Sequence, residues 1–193
     1  IHAICRAGTA IALAAALLAP TVAPIATAET ANVVRPAAVG QKFSFGLWGD
    51  MPYAKANDAK KMPALVADIN RAPIAFSVKD GSTLCTPDYY AGANEMFSSI
   101  VTPVVYVPGD NEWTDCHRIN NGGFDNLERL DYVRKTLFAS PNSFGQTQLA
   151  LEHQGPLGGK YAENTRWTYG DIAFVALNVP GSNNNKVNTD KEC

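Results

Sequence analysis

Hydrophobic residues in this chain form short continuous runs that alternate with helically spaced positions. Continuous apolar runs of this length are typical of β-strands that are buried on both faces. Three such runs occupy residues 42–48, 74–78 and 104–107. Apolar residues at helical spacing predict helices that begin near Pro63, cover about 89–100 and cover about 127–137.

The order of these elements predicts the fold class. Strand, helix, strand, helix, strand is the pattern of a mainly parallel sheet flanked by helices, so we expect an α/β domain. Residues 166–177 predict an additional antiparallel hairpin, with its turn at 169–171. His153 lies in a polar stretch and is assigned to a surface loop.

An aspartate beside a glycine follows each of the three predicted strands. These residues are Asp50, Asp80 and Asp110. Aspartate beside glycine is also common in turns, so the three are interpreted as a set. Because the carboxyl ends of parallel strands meet at one edge of a sheet, we expect the carboxylates to converge there.

Converging carboxylates repel one another, and a bound divalent cation relieves that repulsion. Carboxylate oxygens are suitable ligands for Mn²⁺ and Mg²⁺, and Fe or Zn is also considered. Two cations that share a carboxylate can bind a phosphate ester and lower the pKa of a bound water. The residues therefore indicate a metal-assisted hydrolase of phosphoesters.

Composition places the chain among ordinary globular proteins. It has 193 residues, of which 46% are hydrophobic and 18% charged, which is enough for one domain with a core. The formal net charge is −2, and no cluster of Lys or Arg stands out. These features argue against a nucleic-acid partner. The partner expected from the three aspartates is a small-molecule or macromolecular phosphoester.

The first residues resemble the remainder of a secretory signal peptide. Residues 9–20 form an uncharged apolar run after Arg6, and 26–28 have the small-x-small pattern of a signal-peptidase site. The sequence thus predicts a signal segment (1–28), a leader (29–42) and one domain (43–193). An uncleaved membrane anchor is the alternative. Cleavage predicts a secreted or periplasmic protein with no stable membrane span.

Cysteines matter in an oxidising compartment, where disulfides form. Cys85 and Cys116 follow neighbouring predicted strands, in the loops after Asp80 and Asp110. Because both loops leave the same sheet edge, we expect these two cysteines to form a disulfide. Their spacing does not match a metal-binding pattern.

The strand ends resemble the motifs of calcineurin-like metallophosphoesterases. The matching segments are GD at 49–50, DG at 80–81, VPGDNEW at 107–113 and the hairpin at 166–178. The resemblance implies the N-terminal half of that family's sandwich fold. It also implies metal ligands at Asp50, Asp80 and Asp110.

Departures from the family pattern bear on catalysis. Pro52 occupies the position of the first histidine, and Asn111 that of the histidine which helps to protonate the leaving group. An amide cannot act as a general acid. The family's later histidine motifs would lie beyond residue 193, so we expect little or no phosphatase activity from this stretch.

Three further residues are candidates for chemistry at the same edge. His117 is a candidate acid or ligand, with a solvated loop histidine as the alternative. Arg118 and Lys79 are candidates for binding phosphate oxygens, and Lys79 is equally a candidate internal counter-ion that replaces one metal charge. Glu112 matches the family acid that orients the missing histidine.

Three functions stay open from the sequence. The first is an exported metallophosphoesterase that is active in its full-length form. The second is a non-catalytic binding or structural module that keeps the fold without the catalytic histidines. The third is a secreted α/β domain without a metal.

Overall fold

The computed structural model describes residues 32–51, 56–80 and 85–179, with the backbone alone at 56–59 and 80. The predicted signal segment and the residues after 179 lie outside this range. Within it, the chain forms a mixed α/β structure with two three-stranded sheets.

The first sheet is parallel. Its strands are β1 (Gly46–Trp48), β2 (Ser77–Asp80) and β3 (Val104–Val107), in that spatial order. Helix α1 (Ala56–Arg71) connects β1 to β2, and α2 (Pro87–Ser98) connects β2 to β3. The α/β class with a parallel sheet and helices is therefore confirmed.

The second sheet is antiparallel and follows α3 (Asn126–Leu137). Its strands are β4 (Glu152–His153), β5 (Thr165–Tyr169) and β6 (Ile172–Ala176), again in chain order. Strands β5 and β6 form the predicted hairpin. The Asp125 carboxylate starts α3 by accepting a hydrogen bond from the Glu128 N–H at 2.9 Å.

Alternation along the parallel strands divides the core into two clusters. Val104 and Tyr106 of β3 pack into the cluster that α2 and α3 cover, together with Phe97. Val105, between them, packs with Trp167 of the second sheet. The parallel sheet is thus covered by helices on one face and by the antiparallel sheet on the other.

Three predicted boundaries differ from the structure. The first apolar run predicted a strand over 42–48, whereas β1 begins at Gly46. Helix α1 begins at Ala56, and Pro63 lies inside it. A proline inside a helix removes one hydrogen bond and crowds the carbonyl four residues earlier, which is costly but does not confine proline to the first turn. Strand β2 covers Ser77–Asp80, whereas the apolar run predicted 74–78, because apolarity reports burial and not pairing.

His153 was expected in a surface loop, and this assignment is wrong. The residue belongs to β4, is half-buried, and its Nδ1 lies 2.6 Å from the Ala162 carbonyl oxygen. A strand of two residues is too short to produce a periodic pattern. Part of the predicted leader also contacts the domain, since the Val34 N–H donates to the Gln148 carbonyl at 2.8 Å.

Candidate functional site

The carboxyl ends of β1, β2 and β3 lie side by side. Trp48 of β1 pairs with Lys79 of β2, and Asp80 pairs with Val107 of β3. The loops that carry Asp50 and Asp110 therefore leave the same edge as Asp80. The side chain of Asp80 is outside the described part of the structure, so its separation from the other two carboxylates stays a prediction.

Asp50 adopts an unusual backbone conformation at this edge. Its φ is 56°, in the left-handed region that few residues other than glycine adopt, and its side chain is exposed. Aspartate tolerates this region better than most residues do. Such strained positions occur often at functional sites.

The loop after β3 is a tight turn built around the backbone of Asp110. The Asp110 carbonyl accepts hydrogen bonds from the Thr114 hydroxyl at 2.8 Å and from the Asp115 N–H at 3.0 Å. The Asp110 side chain is exposed, and its carboxylate accepts a hydrogen bond from the Asn111 amide at 3.1 Å. The turn therefore holds one carboxylate oxygen with a neutral donor and presents the residue to solvent.

The segments that follow β2 and β3 are covalently joined. Cys85 and Cys116 form a disulfide with their Cα atoms 5.6 Å apart, and both residues are buried. This is the pairing that the sequence predicts. The sulfur of Cys85 lies 3.1 Å from the Asn111 carbonyl oxygen, so the bridge packs directly beneath the Asp110 turn.

Glu112 holds the base of the same turn. It is buried, and its carboxylate accepts a hydrogen bond from the Gly109 N–H at 2.8 Å. Its carbonyl accepts a hydrogen bond from the Tyr90 hydroxyl on α2, also at 2.8 Å. This carboxylate therefore orients the backbone of the turn.

Burial shapes the electrostatics around Tyr90. It raises the pKa of the Tyr90 phenol far above its ordinary value, and the Arg129 guanidinium opposes part of that rise. The negative charge of Glu112 adds to the rise. The phenol therefore stays neutral and remains a hydrogen-bond donor to the turn.

Lys79 is buried at the carboxyl end of the central strand, with 2% of its surface exposed. Its neighbours in the sheet register are Trp48 and Tyr106, on the helix-covered face. Together with Met51, from the Asp50 loop, and Glu112, from the Asp110 loop, it lines a small cavity. This burial favours the counter-ion role over phosphate binding, which needs an accessible ammonium.

His117 and Arg118 lie on the exposed side of the β3 loop. His117 Nδ1 is 3.1 Å from the Thr114 carbonyl oxygen, which suits an Nδ1–H donor. Arg118 forms an ion pair with Asp115 at 2.7 Å and keeps about half of its side chain exposed (48%). Burial raises the pKa of Asp115, and Arg118 opposes that shift, while Asp110 adds to it.

Sequence reasoning missed Asp115. An acid three residues before an arginine was the available signal, but that spacing is common on any surface turn. The role of Glu112 toward Gly109 was missed for another reason, because the family pattern assigns that acid to a histidine.

The atoms that could bind a cation at the carboxyl ends of the parallel strands are the carboxylate oxygens of the aspartates. They fit a hard divalent cation such as Mn²⁺ or Mg²⁺ better than Zn²⁺, which favours nitrogen and sulfur ligands. Among the described side chains, no group of three or more His, Cys, Asp or Glu residues is arranged to hold a metal ion. That search does not include the side chain of Asp80.

Comparison of the chain with protein-family models, curated proteins and solved structures finds no significant match. The resemblance to calcineurin-like phosphoesterases therefore rests on the sequence motifs alone. In the part of the chain that the structure covers, no helix has the length and apolar character needed to cross a membrane. The disulfide is compatible with an oxidising compartment.

Proposed function

We propose that this protein is an exported, metal-dependent hydrolase of phosphoesters related to the calcineurin-like metallophosphoesterases. The observation that carries the proposal is the parallel pairing of β1, β2 and β3. It brings the loops of Asp50 and Asp110, and the end of β2 that carries Asp80, to one edge. The edge of a parallel sheet at which the strands end is where α/β proteins place their sites.

Asp50, Asp80 and Asp110 are the residues that would hold the divalent cation. When bound, such a cation polarises a phosphoryl oxygen and lowers the pKa of a bound water. The exposed positions of Asp50 and Asp110 support this role, since a substrate reaches the edge from solvent.

His117 is our candidate for protonating the leaving group. Its Nδ1 contact with the Thr114 carbonyl orients the ring, so a proton carried on Nε2 is the one that would be delivered to the leaving group. Arg118 is the candidate for binding a phosphate oxygen with the part of its guanidinium that Asp115 does not occupy. Asn111 cannot replace a histidine as an acid.

The proposed substrate class follows from the weakness of this acid. Because His117 is exposed and lies outside the family position, proton delivery to the leaving group is expected to be poor. The best substrates are then phosphoesters whose leaving group departs without a proton, such as aryl esters. Export is proposed from the predicted signal segment, and the disulfide supports it.

The test is Mn²⁺ binding by isothermal titration calorimetry, combined with hydrolysis assays on the 193-residue chain. We expect Asp50→Asn and Asp110→Asn each to weaken Mn²⁺ binding at least about tenfold, since each removes one charged ligand. Asp171→Asn, at the exposed hairpin turn, is the matched control and should bind normally.

Hydrolysis is measured on an aryl and an alkyl phosphate, with Mn²⁺ or with chelator. We expect turnover to be slow and chelator-sensitive, and the alkyl ester to react at least about 100-fold more slowly, the typical contribution of a general acid. Absence of Mn²⁺ binding would contradict the proposal. Rapid turnover of the alkyl ester would show that an efficient acid is present.

A non-catalytic binding module is the second candidate. The observation that favours it is the Asn111 side chain, which donates its amide hydrogen to Asp110 at the position of the family's catalytic histidine. This candidate predicts Mn²⁺-dependent binding of a phosphoester without turnover, measured by the same calorimetry with the aryl phosphate as ligand.

A further inference from the structure

We propose that Asn126 positions His117, so that the imidazole holds Nδ1–H against the Thr114 carbonyl and keeps Nε2 for proton exchange. The inference rests on the proposed function, because His117 is its candidate acid. It adds a residue of α3, outside the Asp110 turn, to the groups that shape the site.

The carboxamide of Asn126 binds two points of the loop that follows β3. Its Oδ1 accepts a hydrogen bond from the His117 N–H at 3.1 Å, and its Nδ2 donates to the Thr114 carbonyl at 2.7 Å. The reverse orientation of the amide would set donor against donor and oxygen against oxygen. The two bonds therefore fix the amide and hold Thr114 and His117 in one arrangement.

The Thr114 carbonyl is an acceptor that two side chains share. It lies 2.7 Å from Asn126 Nδ2 and 3.1 Å from His117 Nδ1. A carbonyl oxygen has two lone pairs and cannot donate, so the contact with Nδ1 is favourable when Nδ1 carries the hydrogen. The ring nitrogen that remains for exchange of a proton with solvent or substrate is then Nε2.

Thr114 also joins this arrangement to the Asp110 turn. Its hydroxyl donates to the Asp110 carbonyl at 2.8 Å, and its carbonyl accepts from Asn126. Asp115 is influenced from both sides, since burial raises its pKa, Asp110 adds to the rise and His117 counteracts it. Asp110 and His117 therefore lie close enough to act on the same carboxyl group.

Asn126 is the first residue of α3, and this helix is firmly anchored. Asp125 caps it, and the buried residues Leu130, Val133 and Leu137 hold it against the rest of the molecule. A side chain on a rigid element places its partner more precisely than one on a loop. Loss of the Asn126 carboxamide should therefore release the imidazole and leave the helix in place.

The first measurement is the tautomer of neutral His117, from its imidazole ¹⁵N chemical shifts at about pH 9, above the range in which imidazoles ordinarily titrate. The His117→Gln variant identifies the signals. We expect the Nδ1–H form to predominate in the 193-residue chain. A predominant Nε2–H form, which is the preference of a free imidazole, would overturn the inference.

The variants test Asn126 itself. Asn126→Ala should lower the ratio of the Nδ1–H to the Nε2–H form about fivefold, the effect of one hydrogen bond. Asn120→Ala, at an exposed position of the same loop, is the matched control and should leave the ratio unchanged. Asn126→Asp still accepts from the His117 N–H but cannot donate to Thr114, so it should also lower the ratio.

An unchanged ratio in both Asn126 variants would contradict the positioning role. If Asn126→Ala does not fold, Asn126→Asp decides the question, because aspartate is favourable in the first turn of a helix.

Hydrolysis assays with Mn²⁺ separate this inference from the proposed function. Asn126→Ala should lower kcat for an alkyl phosphate about tenfold, with KM unchanged, and change kcat for an aryl phosphate by less than about twofold. The reason is that the aryl leaving group departs without a proton. Equal losses on both esters would contradict the positioning of an acid. If the unmodified chain has no turnover, the proposed hydrolase activity fails, and the tautomer ratios still decide the inference.

Discussion

Two ion pairs of the same chemistry lie in opposite environments in this protein. Arg134 of α3 binds Glu163 through two hydrogen bonds of 2.7 and 2.6 Å, and both side chains are buried. Arg166 binds Glu152 across β4 and β5 with both side chains 69% exposed. The first pair joins α3 to the loop before β5, and the second lies on the surface of the sheet.

We expect Glu163→Gln to destabilise the protein by about 3 kcal/mol, because it removes the buried counter-charge of the Arg134 guanidinium and leaves the exposed Asp131, at 3.6 Å, as its acidic partner. Glu152→Gln should cost less than about 1 kcal/mol, as exposed pairs usually do. Urea unfolding at neutral pH, followed by circular dichroism, measures both. Equal losses of unfolding free energy in the two variants would contradict the argument that burial makes the first ion pair more important.

Tyr90 gives a prediction about pH. Its folded pKa is raised above its ordinary value of 10.0, mainly by burial, so the folded state retains the phenol proton longer than the unfolded chain does. The stabilisation that the Tyr90 phenol contributes is fully present below pH 10.0. As the pH rises above that value, the free energy of unfolding falls by about 1.4 kcal/mol per pH unit for one proton.

The measurement is the free energy of unfolding between pH 8 and pH 11 for the unmodified protein and for Tyr90→Phe. The unmodified protein should lose stability more steeply above pH 10, and the variant should lack that part of the slope. Parallel curves would show that the phenol ionises normally. At pH 8 the variant should be less stable, since it lacks the hydrogen bond to the Glu112 carbonyl.

At the scale of elements, the disulfide fixes the segment between β2 and β3. Cys85 precedes α2 and Cys116 follows the Asp110 turn, so α2 and β3 lie within the 31-residue separation of the two cysteines. Arg129 of α3 supports the first end by donating to the Cys85 carbonyl at 3.2 Å.

Replacing both cysteines with alanine should lower stability by about 3–4 kcal/mol, the chain-entropy value for a loop of this size. Thiol titration of the unfolded, unreduced protein provides the companion measurement. It should show no reactive thiol from Cys85 or Cys116, and reduction should release both. A stability loss below about 1 kcal/mol would mean that tertiary packing already holds the two loops.

Elements with a clear local pattern of apolar residues could be predicted from the sequence. Short strands that depend on pairing with a distant strand could not. Strand β3 and helix α3 agree closely with their apolar patterns. Strand β4 has two residues and depends on its partner β5, which lies more than ten residues away. Long-range pairing of this kind is not encoded in local periodicity.

The candidate site shows the same division. The sequence placed Asp50, Asp80 and Asp110 after parallel strands, because that argument needs strand order alone. It did not predict the Tyr90 hydrogen bond to Glu112, since these residues are 22 positions apart and meet through the packing of α2. It weighed two roles for Lys79, and burial favours one of them.

At the scale of the whole molecule, the described residues form three layers: helices, a parallel sheet and an antiparallel sheet. Strands β1 and β6 are edge strands, each paired on one side in the described structure. They expose apolar side chains, with Leu47 75% and Val175 63% accessible. Unpaired backbone groups beside apolar side chains favour pairing of such edges with another strand, so we expect association of this protein to begin there.

The covalent link between Cys85 and Cys116 has a practical consequence for handling this protein. A protease that cuts once within α2 breaks the backbone, but the two pieces stay attached through the sulfur bridge. Electrophoresis without a reducing agent would then show a single band of unchanged mass, and a nicked preparation would pass as intact. Purity should therefore be judged on reduced samples.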